Sequence, residues 1–434
     1  MTGLSRRAFT AGLAAGVTVL TAAEARALGE PERFPDPATR PPLPKARLGG
    51  RRGFVTLNGG SLPWRTRDGV KEFHLVAEPV TRELAPGSVA HLWGYNGGSP
   101  GPTIEAIEGD RVRILVTNRL PEHTTVHWHG MLLPSGMDGV GGLTQPHIEP
   151  GETFAYEFTL KKSGTFMYHP HSDEMVQMAM GMMGLFIVHP KDPAEHRVDR
   201  DFGFLLATYD LKPGTWVPNT AEMTDFNTWT FNSRVFPGID PLVAGKGERV
   251  RIRIGNLSMT NHPIHLHGHD FRVTGTDGGW IPASAQWPET SVDVPVGAMR
   301  TIEFVAEEGD WALHCHKSHH TMGPMGHDVA NLLGVRQAEA TRRVQALLPG
   351  AMVMPMGEQG MAEMQDMAAH MPPPANTLPM MTGEGPFGPI EMGGMFTVVK
   401  VRRGLAPGDH ADPGWYGHPK GTVAWRIDGN GGRG

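Results

Sequence analysis

The segment EGDRVRILVTN at Glu108–Asn118 returns as KGERVRIRIGN at Lys246–Asn256, and VHWHG at Val126–Gly130 returns as IHLHG at Ile264–Gly268, both at a shift of 138 residues. Further along, GTFMYHPHS (Gly164–Ser172) meets GDWALHCHK (Gly309–Lys317) at a shift of 145. Blocks that recur in one order at nearly one spacing mean a duplicated unit of about 140 residues. Within each copy apolar and polar residues alternate. Val112, Ile114 and Val116 face one way, as do Val250, Ile252 and Ile254, and a period of two marks a half-buried strand. Pro-Gly turns such as Glu149-Pro150-Gly151 separate the runs. Short strands with such punctuation, in a chain with 57 Gly and 38 Pro, predict an all-β protein with one β-sandwich per copy. We place the first domain at 70–195 and the second at 196–345.

The repeats carry the chemistry. Each copy holds two His-x-His pairs: His127/His129 and His169/His171 in the first, His265/His267 and His314/His316 in the second. On a strand, residues i and i+2 point to the same face, so each pair presents two imidazoles side by side. Imidazole is the commonest metal ligand. One such pair means little, but four at duplicated positions point to a metal site, and eight histidines are more than one ion can use. A cluster is expected.

The only cysteine of the chain, Cys315, sits between His314 and His316. On one strand its thiol must point opposite to both neighbours. It can therefore bind a second metal on the far face while they serve the cluster. A thiolate with two imidazoles and a weak axial thioether is the ligand set of a blue copper electron-transfer site. His262, His320 and Met325 are placed to complete it. Outside the cytoplasm a lone exposed thiol invites oxidation, so Cys315 is either buried and inert or held by a metal, and its histidine neighbours favour the metal.

In order, HxHG, HxH, HxxHxHG and HCHxxxHxxxxM resemble the motifs of the multicopper oxidases, the laccase-like proteins built from cupredoxin folds, from His127 to Met325. The resemblance implies two cupredoxin-like Greek-key β-sandwiches with a Met/Pro-rich C-terminal extension. It implies four coppers per chain. Type 1 copper would be held by His262, Cys315, His320 and Met325, and type 2 copper by His127 and His265. The type 3 pair would be held by His129, His169, His171, His267, His314 and His316. In this family a reducing substrate gives single electrons to type 1 copper, Cys315 and its neighbours would pass them on, and dioxygen is reduced to water. Asp138 matches an acidic residue used near type 2 copper in proton delivery; as a plain turn residue before Gly139 it would need no such role. Where some bacterial relatives carry a glutamate after the type 1 histidine, this chain has Thr321.

The resemblance is to a two-domain member, because the 90 residues between His171 and His262 are too few for a third domain. In the first copy Thr124, Pro170 and Met175 stand where the second has His262, Cys315 and His320, so type 1 copper is expected in the second domain only. Two-domain relatives close a ring of three, with each cluster between domain one of one subunit and domain two of the next. A homotrimer is therefore expected.

The flanks read differently. Arg6-Arg7 before a short small-residue apolar run, with Ala25-Arg26-Ala27 as a cleavage site, read as a twin-arginine export signal over 1–27. That places the protein in the periplasm or outside the cell. No later run has the length of a membrane span. Residues 28–69 read as an extended arm, 346–394 as a Met-rich loop, and 395–434 as a strand followed by a Gly-rich tail. Of the 25 methionines, many fall in Met175–Met183 and Met352–Met371. Thioethers suit cuprous copper, yet methionine also fills irregular cores, and both readings stand.

A formal net charge of −6 argues against an electrostatic nucleic-acid binder. The expected partners are dioxygen and a small reductant: a phenolic or aromatic compound, or a cuprous or other metal ion. Two rival functions remain. A copper-binding or copper-tolerance protein would explain the methionines without explaining the Cys315 motif. A two-domain copper nitrite reductase would not need every His-x-His pair.

Overall fold

The computed structural model describes residues 53–192, 194–322, 342–343, 346–347, 375–378 and 383–427. The expected export signal, most of the arm, Met325 and the Met352–Met371 run lie outside the described residues. The fold is all-β. Among the described residues no helix is long and apolar enough to cross a membrane.

In the first domain a five-stranded sheet runs Trp64–Arg67, Val70–Ala85, Arg111–Asn118, Thr153–Thr159, with Ser88–Tyr95 paired to Val70–Ala85. Its partner has four strands in the order Ile104–Ile107, Gly184–His189, Gly164–His169, His127–His129. The alternation in Arg111–Asn118 is realised as read: Val112, Ile114 and Val116 are buried in the core between the sheets.

The second domain repeats the plan. An eight-stranded sheet holds Arg200–Tyr209, Arg249–Asn256, Met299–Val305 and Phe271–Thr276 in that order. Facing it, a five-stranded sheet runs Leu242–Gly245, Phe396–Arg402, Gly309–Cys315, His262–Leu266, Ser291–Val294. Two strands in these sheets come from segments read as extensions. Phe54–Thr56, in the expected arm, pairs with Asp201–Gly203 of the second domain. Phe396–Arg402 lies between Leu242–Gly245 and Gly309–Cys315, so His314 has Phe396 opposite it. The first domain's equivalent, Gly184–His189, follows its His-x-His strand after one short helix, Glu174–Ala179. In the second domain the segment 323–395 is interposed, and the strand that closes the sandwich lies beyond residue 345.

One expectation fails. Arg249–Asn256 was expected to be half-buried by its alternation, but Arg251 and Arg253 are as buried as Val250, Ile252 and Ile254. The first domain covers their face. Arg253 makes a two-pronged bond to Asp201 (2.8 and 2.9 Å) and donates to Thr165 of the first domain (3.1 Å). Arg251 bonds Glu303 (2.9 and 2.7 Å) and Asp201 (3.1 Å). Burial pushes the Asp201 carboxyl up, but the facing guanidiniums of Arg253 and Arg251 outweigh it and hold it at about 2. Trp280 lies under both guanidiniums and donates to Ser163 across the junction. Around this ionic network one apolar cluster draws on both domains, with Met167 and Leu185 from the first and Leu205 and Met299 from the second. Buried charges persist only when paired, and this pairing fixes how the domains sit.

Candidate metal centres

The two copies hold their histidines in the same register. In the first, His127 lies opposite His169 in an antiparallel ladder; in the second, His265 lies opposite His314. The second pair in each chain direction then follows at i+2, so each domain gathers four rings. In the first, His127 lies 5.6, 5.3 and 5.6 Å from the rings of His129, His169 and His171. In the second, His265 lies 4.8, 5.7 and 5.5 Å from His267, His314 and His316. Among the described residues no ring of one quartet touches a ring of the other. His267 and His316 are exposed.

Backbone carbonyls fix the imidazole tautomers. His127 Nδ1 donates to Asp138 O (2.8 Å), and His265 Nδ1 to Thr290 O (2.6 Å). His169 and His314 each donate from Nδ1 to the carbonyl of the next residue, Pro170 (2.9 Å) and Cys315 (2.8 Å). A carbonyl only accepts, so all four present a bare Nε2 lone pair to the centre of the quartet. There His314 Nε2 meets His267 Nε2 at 3.1 Å, and His169 Nε2 meets His129 Nδ1 at 3.3 Å. Burial drives the His169 ring down to about 3, and lowers His314 as well, so both stay neutral donors.

Asp138 reaches His127 because of Gly139. That glycine has φ +88°, and a Cβ on it would stand 1.8 Å from the Val126 carbonyl oxygen. Only glycine lets the loop pass so close under the strand. Asp138 Oδ1 is 3.5 Å from His127 Nδ1. Across the quartet Glu174, which the sequence reading did not single out, comes within 3.7 Å of His169 and 4.0 Å of His171.

On the opposite face of the strand carrying His314, Cys315 enters the core of the second domain. Its Sγ lies 3.7 Å from His262 Nδ1 and 3.3 Å from His320 Nδ1, and the two nitrogens are 3.1 Å apart. All three side chains are fully buried. Burial pushes the thiol up to about 11 and the His262 imidazole down to about 3. Ser258 Oγ bonds His262 Nε2 at 2.7 Å, leaving Nδ1 to face the sulfur. Trp229 stacks on His320, centroids 3.7 Å apart and planes 16° from parallel.

The repeat position in the first domain is filled otherwise. Thr124, in place of His262, donates to Gln177 Oε1 (2.7 Å), and Gln177 Nε2 donates to His123 O (2.8 Å). Gln177 is fully buried, whereas Met175, in place of His320, is half exposed. An amide plugs the position.

These donor sets fit copper. Three convergent, desolvated N, N and S donors suit a soft, small ion with a preference for thiolate and imidazole. Within each quartet the bare Nε2 of His169 or His314 faces a second ring nitrogen, so a proton or a cation must lie between them.

Residues 77–193 and 212–332 each match a sequence family described as multicopper oxidase. The chain belongs to the multicopper oxidase family, a family of copper-dependent oxidoreductases. It resembles the blue copper oxidase of Nitrosomonas europaea (TM-score 0.55, 27% identity, covering 76% of this chain and 85% of that one). It is 38% identical over 147 residues to copper resistance protein A of Escherichia coli, covering 34% of this chain and 24% of that protein. It is 31% identical to laccase-2 of Cryptococcus neoformans over 48% of this chain and 41% of that protein. The chain thus spans less than half the length of either curated relative.

Proposed function

We propose that this protein is a laccase-like multicopper oxidase, exported to the periplasm, that takes electrons from a small reductant and passes them to dioxygen. The observation that carries the reading is the back-to-back placement of two donor sets on one strand. Cys315 faces His262 and His320, while His314, one residue away, faces His265 and His267. Copper held there would supply one-electron acceptance at a type 1 site and four-electron reduction of dioxygen to water at a trinuclear centre. The type 1 ligands would be His262, Cys315, His320 and Met325. His127 and His265 would hold type 2 copper; His129, His169, His171, His267, His314 and His316 would hold the type 3 pair, four ions per chain in all.

The chain's own residues do the rest. The Cys315 backbone joins the two sets by a short covalent path. The core around Cys315 keeps water from the thiolate. Asp138, beside His127, would relay a proton toward the centre where oxygen reduction would consume one.

The quartets support a shared centre. Each offers half the donors, the second is open at the surface, and among the described residues no ring contact joins them within one chain. We assign the cluster to the junction between domain one of one subunit and domain two of the next, in a cyclic trimer. An active, copper-loaded monomer in sedimentation would overturn that assignment.

For the donor, one cavity bears on the choice. About 500 Å³ in volume, it is bounded by the first quartet, by Glu174 and Glu222, and by Met175, Met178, Met223 and Met259. Its thioethers offer soft donors to a cuprous ion, and the same wall includes Ser258, which bonds the type 1 ligand His262 where electrons would enter. The test is oxygen uptake with each donor: four electrons per dioxygen with no peroxide released supports an oxidase. Anaerobic reduction of nitrite without oxygen uptake would move the assignment to nitrite reductase.

A further inference from the structure

Trp229 has no counterpart among the metal-binding motifs, yet it touches more of the Cys315 site than any motif spacing suggests. It lies on Thr228–Phe231, a wholly buried strand paired to Arg200–Tyr209. Its indole is parallel to the His320 imidazole, and meets His262 edge-on at 5.9 Å and His319 at 5.8 Å. Phe226 packs on its other side at 6.1 Å.

The three donors differ in how firmly they are held. Cys315 and His262 sit on paired strands, Gly309–Cys315 and His262–Leu266, with Ile264 opposite Cys315. The Ser258 hydroxyl also fixes the far nitrogen of His262. His320 is on neither strand. It belongs to a single 3-10 turn, Ser318–Thr321, closed by His320 N to Lys317 O and tied outward by the backbone bond from Met395 N to His320 O. An imidazole on such a turn has a broad, soft torsion about its last bond. A face-to-face contact at 3.7 Å blocks that rotation, because turning the ring would drive its edge into the indole.

We propose that Trp229 is a positioning residue for His320, locking its ring so that Nδ1 faces Cys315 and His262, and thereby sets how tightly and with what geometry the site holds copper. The inference rests on the type 1 reading of that site. It assigns a role to the indole face: the hydrophobic area alone could come from any large apolar side chain, but the rotational lock needs a flat one. Phenylalanine preserves a flat face; leucine of similar bulk does not.

The experiment compares Trp229→Phe and Trp229→Leu with the unaltered full-length protein, each loaded with copper. Visible absorption and the rate of copper loss from the blue site to a chelator are measured, with circular dichroism of the copper-free proteins to check the fold. Trp229→Phe should keep the blue band's position and lose copper within about twofold of the unaltered rate, given that it retains the ring contact. Trp229→Leu should lose copper about tenfold faster, the upper end of what an aromatic pair contributes, and show a shifted or weakened band. A Leu variant with unaltered band and chelator resistance would overturn the proposal. So would a Phe variant as impaired as Leu while both stay folded, since bulk and not flatness would then be missing. If Leu does not fold, a Phe variant that loses copper about tenfold faster refutes the lock on its own, and one that holds copper supports it. Should the unaltered protein take up copper without any blue band, the type 1 reading fails instead, and the two failures are thereby told apart.

Discussion

His314 stands directly opposite His265 in the antiparallel ladder of the second domain, their rings 5.7 Å apart, just as His169 stands opposite His127 in the first at 5.3 Å. The duplication therefore preserved more than the histidines: it preserved the strand register that makes them converge. Each copy alone offers one half of a centre.

If the centre is shared between subunits, two crippled chains should repair one another. His129→Ala disables the first quartet and His314→Ala the second, so each homotrimer should be inactive in oxygen uptake. Co-expressed and mixed at random, about a quarter of the junctions would pair an intact first domain with an intact second one. About a quarter of the unaltered oxygen uptake should return. Centres closed within single chains would give no recovery at all.

The methionine-lined cavity makes a separable forecast. Replacing Met175, Met178, Met223 and Met259 together by leucine keeps volume and apolarity while removing the soft sulfur donors. The kcat/KM for cuprous ion should fall by about tenfold or more, with phenol oxidation within about twofold. Equal losses on both donors would show packing damage and remove the cuprous assignment.

Asp138 faces His127 Nδ1, which is turned away from the quartet's centre, so the proposed proton role does not require it to be a metal donor. Asp138→Asn should leave the copper content and blue band unchanged and slow steady-state oxygen reduction about a hundredfold, the usual scale for a lost proton-transfer group. An asparagine variant with full turnover would reduce Asp138 to a turn residue.

The domain junction predicts an acid limit. Asp201 is held at about 2 in the fold, against 3.8 for an unhindered carboxyl. A depressed native value means the stabilisation is fully present above the unfolded value and disappears as pH falls from about 4 to about 2. Its size is about 2 kcal/mol. Denaturant unfolding of the copper-free protein should show that loss in this window. Asp201→Asn should remove its share of that slope, beside the smaller shares of Glu72, Glu157, Glu222 and Asp412, and cost about 3–5 kcal/mol at neutral pH, because Arg253 is left buried without its carboxylate partner. A slope of unchanged steepness after the substitution would place the acid sensitivity elsewhere.

Much of this site was legible in the sequence because a strand's period of two is unforgiving. His314 and His316 had to share a face, Cys315 had to take the other, and the repeat had to bring His127 and His265 to equivalent places. Other parts depended on which elements meet. Arg251 and Arg253 read as the solvent side of a strand, and only the docking of the first domain buries them. Phe54–Thr56 and Phe396–Arg402 complete sheets far from them in sequence, and three- and seven-residue strands carry no mark of their partner. Trp229 precedes His262 by no motif spacing. Gln177 shows that the first domain's equivalent position is filled by whichever polar side chain reaches, here an amide from the helix Glu174–Ala179. Export, the trimer and Met325 rest on the sequence reading alone.

The central claim is that Cys315 holds a type 1 copper wired to a cluster on the other face of its strand. The most direct test is the visible absorption spectrum of the copper-loaded protein with its total copper per chain, repeated for Cys315→Ser. The account predicts an intense blue band with about four coppers per chain, and a Cys315→Ser variant that loses the band and one copper while keeping the rest. A colourless protein, or a band that survives the loss of the thiol, would contradict it.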